Sequence, residues 1–250
     1  MIKKIEGIVI SEKSFKETSK LINILTEEGV VTLLAKGAKN LKSDLRSNTT
    51  KLTRGDFTYY DKNKGISTLT SVDLKNSYKN IKKDIEKISY ASFLLDLAEQ
   101  VSKESTSKDI YKLLISSLNK IEENFDPFVI TNILELKYLD YLGVMPSLDC
   151  CSICGRKDNI VTLSYKIGGL ICKNCHKEEA IVNEKTIKLI RMYYYVDIDK
   201  ISKLEISDVS KKEINYFLDT YYDNYTGLYL KTKSFLKNLN KIKTRGEVWI

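Results

Sequence analysis

The chain is poor in several residue types that would point to particular classes of protein. It has two prolines, one histidine, one tryptophan and 11 glycines in 250 residues, which is not the composition of a disordered or repetitive linker. No apolar run approaches the ~18 residues that a membrane span requires, and the N-terminus lacks a cleavable signal pattern. The nucleotide-binding motifs GxxxxGK[ST] and GxGxxG do not occur. We therefore expect a compact cytoplasmic protein without nucleotide-hydrolysing chemistry.

Cysteine is also scarce, but its spacing is informative. Four of the five cysteines form two CxxC pairs separated by seventeen residues: Cys151, Cys154, Cys172 and Cys175. This pattern is typical of a tetrahedral zinc site, and Gly155 is placed to leave the first pair with positive φ. Two disulfides or buried free thiols are the alternative. A full shell of four thiolates predicts a structural zinc ion, because a catalytic zinc keeps one position open.

Two neighbours of these cysteines leave the ligand set open. Cys150 could replace Cys151 in the first pair, and His176 could replace Cys175 in the second. Gly168 and Gly169 precede the second pair and are typical of a hairpin turn between the two halves of the site.

Residues 1–78 have the pattern of a small β-barrel. Short apolar segments alternate with turn residues, and Glu27-Glu28-Gly29 predicts a hairpin. The expected strands cover residues 5–10, 21–26, 30–35, 57–60 and 66–72. Five short strands predict a barrel of the OB type, although an SH3-like barrel fits the strand count almost as well.

Residues 79–250 form the second expected domain, with apolar residues at helical spacing. Helices are predicted near 79–101, 107–123 and 128–142, followed by the zinc module near 147–180 and by two or three helices near 183–196 and 209–238. Asp126 and Pro127 suit the start of the third helix, which Gly143 and Pro146 end. The predicted fold class is therefore α+β: an OB-type five-stranded barrel followed by an α-helical domain that carries a zinc knuckle.

The segment after the third expected strand is basic. It contains one acidic residue, Asp44, and these cations: Lys36, Lys39, Lys42, Arg46, Lys51 and Arg54. The chain has a net charge of +8, and residues 1–80 contain 15 Lys and Arg against 9 Asp and Glu. Such a loop can bind the phosphate oxygens of a polyanion, with a solvated lysine-rich surface as the alternative.

Aromatic residues beside this loop offer a stacking platform for single-stranded bases. They are Phe57, Tyr59 and Tyr60, of which strand alternation must point at least one into the barrel. The tyrosines at 193–195 and 221–222 lie on predicted helices, so we expect them to pack with their hydroxyl groups in water. A second basic stretch near the end of the chain is either an electrostatic contributor or a solvated helix face: Lys231, Lys233, Lys237, Lys241, Lys243 and Arg245.

The order of these features resembles the bacterial recombination mediator family RecO. The resemblance runs nearly from end to end and rests on the four cysteines and the following motifs: Gly7-Ile8-Val9, Ala35-Lys36-Gly37-Ala38-Lys39, Lys42-Ser43, Leu142-Gly143, Pro146, Leu148, Gly155, Gly168-Gly169 and Lys233-Ser234-Phe235-Leu236. Asn40 stands where many members of the family carry a further basic residue, so this loop is expected to bind more weakly.

The resemblance implies a function in DNA repair without enzymatic chemistry. It implies binding to single- and double-stranded DNA, strand annealing, and action with RecR to load RecA on DNA coated by single-strand DNA-binding protein. It places the DNA contacts on Lys36, Lys39, Lys42 and Arg46, with Lys51 and Arg54 as further candidates, and the C-terminal tail of the single-strand binding protein in the helical domain. The implied location is the cytoplasm, in association with the nucleoid.

Two hypotheses from other functional classes compete with a DNA-binding mediator. A zinc-dependent hydrolase would need an open metal position or clustered carboxylates, and Glu178 and Glu179 lie outside the knuckle. A zinc-containing protein-interaction adaptor would carry its basic charge incidentally.

Overall fold

A computed structural model describes residues 1–62, 64–230, 232, 233 and 236. The chain divides into two compact units, Met1–Glu122 and a second that begins at Glu123. The domain boundary expected between residues 78 and 79, where the barrel pattern gives way to the helical one, stays a prediction.

The first unit contains a closed five-stranded barrel. Its strands are β1 (Ile2–Phe15), β2 (Ser19–Thr26), β3 (Gly29–Ala35), β4 (Arg54–Tyr60) and β5 (Ser67–Asn76). They close in the order β1-β2-β3-β5-β4, with β3 and β5 parallel and the other pairs antiparallel. This Greek-key closure confirms the OB-type prediction.

The barrel forms because alternate residues on each strand are apolar and point inward. Ile22 and Ile24 on β2, Leu33 on β3 and Phe57 on β4 are completely buried in one core. A long connection from residue 36 to 53 joins β3 to β4 and contains one short helix, α1 (Leu45–Asn48). This connection is the predicted basic loop.

Three helices complete the first unit: α2 (Lys79–Lys83), α3 (Ile85–Glu104) and α4 (Asp109–Glu122). Asp84 separates the first two, because its carboxylate caps α3 by accepting hydrogen bonds from the amides of Glu86 (2.8 Å) and Lys87 (3.1 Å).

The second unit is helical with a small hairpin. It contains α5 (Pro127–Tyr141), β6 (Ile160–Ser164), β7 (Gly169–Cys172), α6 (Glu184–Tyr195), a 3-10 turn at Ile198–Lys200, and α7 (Asp208–Tyr225). Asp126 caps α5 as predicted, accepting from the amide of Phe128 at 2.9 Å. Of the two or three helices predicted in 183–196 and 209–238, α7 ends at Tyr225, where Gly227 follows with a φ of 62°.

The tyrosine runs pack against the helices, as expected, but their hydroxyl groups are not all in water. Tyr193 is completely buried, and its hydroxyl has no hydrogen-bond partner among the described residues. The buried hydroxyl of Tyr222 donates to the carbonyl oxygen of Glu135 at 2.8 Å. The rings of Tyr193, Tyr221 and Tyr222 are therefore part of the core rather than a surface for bases, whereas Tyr195 is exposed.

Candidate nucleic-acid interface and metal centre

The basic loop is held in shape by a series of short turns. The amide of Asn40 donates to Gly37 (3.0 Å), that of Ser43 to Asn40 (3.1 Å), and that of Arg46 to Ser43 (3.0 Å). Gly37 has a φ of 67°, a conformation that glycine adopts without strain. These turns fix the backbone from which the basic side chains project.

Three predicted contact residues of this loop are exposed cations: Lys36, Lys42 and Arg46. Among the described residues, none of the carboxylates forms an ion pair with them. Their charge is therefore available to an external anion. At contact distance from these side chains, salt screens the attraction only in part.

Lys39 is half-buried and ties the loop to the β1–β2 turn. Its amide donates to the carbonyl oxygen of Thr18 at 2.8 Å, and its ammonium group donates to that of Lys16 at 3.2 Å. Lys16 is exposed and was not selected from the sequence. Lys16 is far from residue 36 along the chain, so the sequence did not suggest it. The contact with Lys39 places it on the same basic surface.

Lys51 is half-buried near the end of the loop, three residues before β4. Burial lowers the pKa of Lys51, while the negative charges of Asp96 and Glu99 on α3 act in the opposite direction. Its amide also donates a long hydrogen bond, 3.4 Å, to the carboxylate of Glu12. Lys51 thus lies among acidic residues of its own unit.

Arg54 lies at the start of β4, and its guanidinium group is bound to Glu6. Nε and Nη2 of Arg54 donate to the same carboxylate oxygen at 3.0 and 2.6 Å. Lys75 donates to the other oxygen at 2.5 Å. Burial by itself would raise the pKa of Glu6, but the hydrogen bonds from Lys75 and Arg54 lower it to about 2. Arg54 is therefore not grouped with the exposed cations.

The three candidate stacking rings are divided by strand alternation. Phe57 and Tyr59 belong to the barrel core, at 0% and 8% exposure, so the interpretation that they form part of a stacking platform was wrong. Tyr60 points outward and is 52% exposed.

The four predicted zinc ligands come together in the second unit. The sulfur atoms of Cys151, Cys154, Cys172 and Cys175 all lie within 4.8 Å of one another, and those of Cys154 and Cys172 are 3.6 Å apart. A tetrahedral zinc ion with bonds of about 2.3 Å requires sulfur separations of about 3.8 Å. The arrangement therefore fits one such ion.

Two turns and a hairpin create this geometry. In the first turn the amide of Gly155, at the predicted positive φ of 73°, donates to the carbonyl oxygen of Cys151 at 2.9 Å. In the second the amide of Cys175 donates to Cys172 at 3.0 Å. The β6–β7 hairpin, with Gly168 in its turn and Gly169 at the start of β7, brings the second pair to the first.

The electrostatics of the cluster also favour a cation. Burial alone would raise the pKa of Cys151, but backbone amides, led by that of Cys172, lower it to about 6. The pKa of Cys175 is raised to about 12, chiefly through its hydrogen bond with Cys154 and its burial. Because four neighbouring thiolates repel one another, full ionisation requires a bound cation, and zinc is the cation that suits four sulfur ligands.

The two alternative ligands lie outside the cluster. The sulfur of Cys150 contacts the hydroxyl of Ser147 at 3.8 Å, and Nε2 of His176 lies 2.6 Å from the carbonyl oxygen of Glu179. The structure therefore selects Cys151 and Cys175 as the possible ligands.

Most of the second basic stretch, near the end of the chain, lies outside the described residues; only Lys233 is described. Its ammonium group forms ion pairs with Asp223 (2.9 Å) and Asp219 (3.4 Å). The charge of Lys233 is thus balanced within its own unit.

Comparison with known proteins covers nearly the whole chain. Residues 1–78 match the family model described as "Recombination protein O N terminal", and residues 82–234 match "Recombination protein O C terminal". The chain is 33% identical over 245 residues to "DNA repair protein RecO" of Listeria innocua serovar 6a, with 96% of each protein covered. It is 33% identical over 248 residues to the protein of the same name in Bacillus cereus strain AH187, covering 97% of this chain and all of the relative. Within the described residues, no helix has both the length and the apolar character of a membrane span.

Proposed function

We propose that this chain, which belongs to the recombination protein O (RecO) family, is a non-enzymatic mediator that binds single- and double-stranded DNA through its basic loop. Membership of the family assigns it a role in DNA repair by recombination. The observation that carries the proposed contact is the exposed, unpaired trio of Lys36, Lys42 and Arg46 on an OB-type barrel. Lys39 contributes at the base of the loop, and Lys51 and Arg54 remain weaker candidates.

The proposed mechanism is electrostatic. The loop cations neutralise phosphates, and the release of counterions drives binding whatever the base sequence. Two complementary strands whose phosphate repulsion is reduced meet more often, and their base edges stay free to pair. Annealing by this route moves no proton and breaks no bond.

The proposed partners follow from the family. RecR would act with this chain to help RecA replace single-strand DNA-binding protein, whose C-terminal tail would dock in the helical unit. A location in the cytoplasm, with the nucleoid, follows from binding to chromosomal DNA.

Zinc would have a structural role in this proposal. Cys151, Cys154, Cys172 and Cys175 would hold it, and four thiolates leave no position for a substrate. Bound zinc supplies folding free energy that joins the two turns through the hairpin.

The salt dependence of oligonucleotide binding tests the proposal. For single-stranded DNA, log K is expected to fall with log salt by about 0.7 for each phosphate contacted. The double variant Lys36→Ala/Lys42→Ala should therefore flatten this slope by about 1.4 and weaken binding to single strands and duplexes alike.

The matched control is Lys108→Ala/Lys112→Ala, just before and within the first turn of α4, which removes the same charge from exposed positions in the same unit. It should leave the slope unchanged if the loop is the interface. Equal slopes for the wild type and the loop variant would remove the loop from the interface, and absence of binding by folded, zinc-loaded wild type would end the proposal.

A further inference from the structure

A row of outward-facing residues crosses the barrel beside the basic loop. On β4, Tyr60 pairs with Ile2 of β1 on one side and with Thr68 of β5 on the other. Thr68 in turn pairs with Leu34 of β3. Paired residues of adjacent strands lie on the same face, so these four side chains share the outer surface.

This row leads directly to the loop. Leu34 precedes Lys36 by two positions, which corresponds to about 7 Å along the chain. Tyr60 lies two strand spacings from Leu34, about 10 Å. The exposed ring therefore stands within the span of a few nucleotides from the first cation of the basic loop.

The exposed part of this surface is apolar. Tyr60 is 52% exposed, Ile2 is 69% exposed, and Ile66, just before β5, is 43% exposed. We name these three residues the apolar ledge. Isolated exposed apolar residues are common on proteins, but here an exposed aromatic ring is paired with an exposed aliphatic residue of the next strand, and aromatic rings are the side chains on which bases stack.

Acidic residues on the strands of the ledge are paired with cations, which reduces their repulsion of a nucleic acid. Four acidic residues on β1, β4, β5 and the following turn pair with four cations on the same strands. The pairs are Lys3–Asp61, Lys4–Asp56, Lys4–Asp73, Arg54–Glu6, Lys75–Glu6 and Lys75–Asp56. Attraction for phosphate thus comes from the loop and from the exposed Lys62 and Lys64, which follow Tyr60 along the chain, while the ledge itself is apolar.

We infer that the apolar ledge stacks unpaired bases of a DNA strand whose phosphates are held by the basic loop. This inference rests on the proposed function and adds to it a source of preference for single strands. A duplex keeps its base faces within the helix, so it can use the loop but not the ledge. Continuity between the ledge and the loop favours a nucleic acid over a protein as the occupant.

The test measures affinity for a 20-nucleotide oligothymidylate and for a 20-base-pair duplex at one salt concentration. Tyr60→Ala should weaken binding to the oligothymidylate about tenfold, within the range found for loss of one stacked base. Binding to the duplex and the slope against salt should not change, because no phosphate contact is lost. Tyr60→Phe should bind like the wild type.

The matched control is Tyr229→Ala, which removes a ring that is 78% exposed in the second unit and should have no effect. If Tyr60→Ala leaves oligothymidylate binding unchanged, or weakens both ligands equally, the ledge is not a stacking surface. In that case the loop variants still weaken binding if the proposed function is right; failure of the wild type to bind any DNA would instead overturn the proposed function.

A spectroscopic readout covers the case in which Tyr60→Ala does not fold. Tyr60→Trp keeps an aromatic ring in place, and the only natural tryptophan is Trp249. Oligothymidylate should quench the added fluorescence of this variant, measured against the wild type, whereas the duplex should not. Equal quenching by both ligands, or by neither, would overturn the inference.

Discussion

Arg54 and Glu6 form a two-point contact between β4 and β1, in which both donating nitrogens of the guanidinium group bind one carboxylate oxygen. The hydroxyl of Tyr111 on α4 donates to the same oxygen at 3.2 Å. The residue that looks like the end of a basic run in the sequence is therefore a link between the barrel and a helix of the same unit.

Replacement of Arg54 should affect folding more than DNA binding. We expect Arg54→Ala to cost about 1 kcal/mol of unfolding free energy, since hydrogen bonds to charged groups are strong but this pair is partly exposed. For a chain of this size that lowers Tm by about 2–4 °C. Lys36→Ala should leave Tm unchanged and flatten the salt slope of binding by about 0.7. A larger change of slope in Arg54→Ala than in Lys36→Ala would contradict this assignment.

Acid should weaken the first unit through Glu6. The pKa of this carboxyl group is lowered from 4.5 to about 2 in the folded chain, so its ionised form stabilises folding. That contribution is fully present above pH ~4.5 and is lost as the pH falls toward 2. Glu6→Gln should therefore be less stable than the wild type at pH 7, and the difference should shrink in acid-unfolding curves below pH ~4. A constant difference across this range would exclude the mechanism.

Loss of one zinc ligand should destabilise the second unit before it reduces DNA affinity. We expect purified wild type to carry one zinc ion per chain by elemental analysis, and Cys151→Ser to lose the metal together with solubility and thermal stability. Cys150→Ser is the matched control, because its sulfur lies outside the cluster, and it should retain the metal. Normal melting of the Cys151→Ser variant would refute a structural role.

Gly169 should tolerate no side chain. A Cβ atom there would clash with the backbone oxygen and nitrogen of Ser147, which pairs with this position. Gly29 also has a positive φ, 109°, but its Cβ would meet no atom within 4 Å. Gly169→Ala should thus cost more than about 2 kcal/mol and impair zinc retention, against about 1 kcal/mol for Gly29→Ala. If Gly169→Ala and Gly29→Ala lower Tm equally, backbone strain at positive φ, and not the clash with Ser147, accounts for the loss of stability.

Local patterns predicted the elements that depend on nearby residues. The five strands of the barrel were predicted because strand alternation and turn residues act over a few positions, and Asp126 was recognised as a helix cap for the same reason. The position at which α7 ends was not predicted, because Gly227 interrupts a spacing that otherwise remains helical.

The candidate interface was harder to predict, since charge by itself does not reveal its partner. Lys36 and Arg54 look equivalent in the sequence, yet one is exposed and the other binds Glu6, 48 residues away. Phe57 and Tyr60 lie on opposite faces of β4, and only the structure shows which face points into the barrel. Lys16 was recognised as part of the basic surface only from its contact with Lys39 in the structure.

The sequence by itself determined the four cysteines that can hold a metal and the order of strands and helices, because CxxC turns and apolar periods are set by residues close along the chain. The tertiary structure alone decided which cations are free, which ring is exposed and which cysteine is excluded from the cluster. Those properties depend on contacts between residues distant in sequence, and only closure of the barrel and the hairpin creates them.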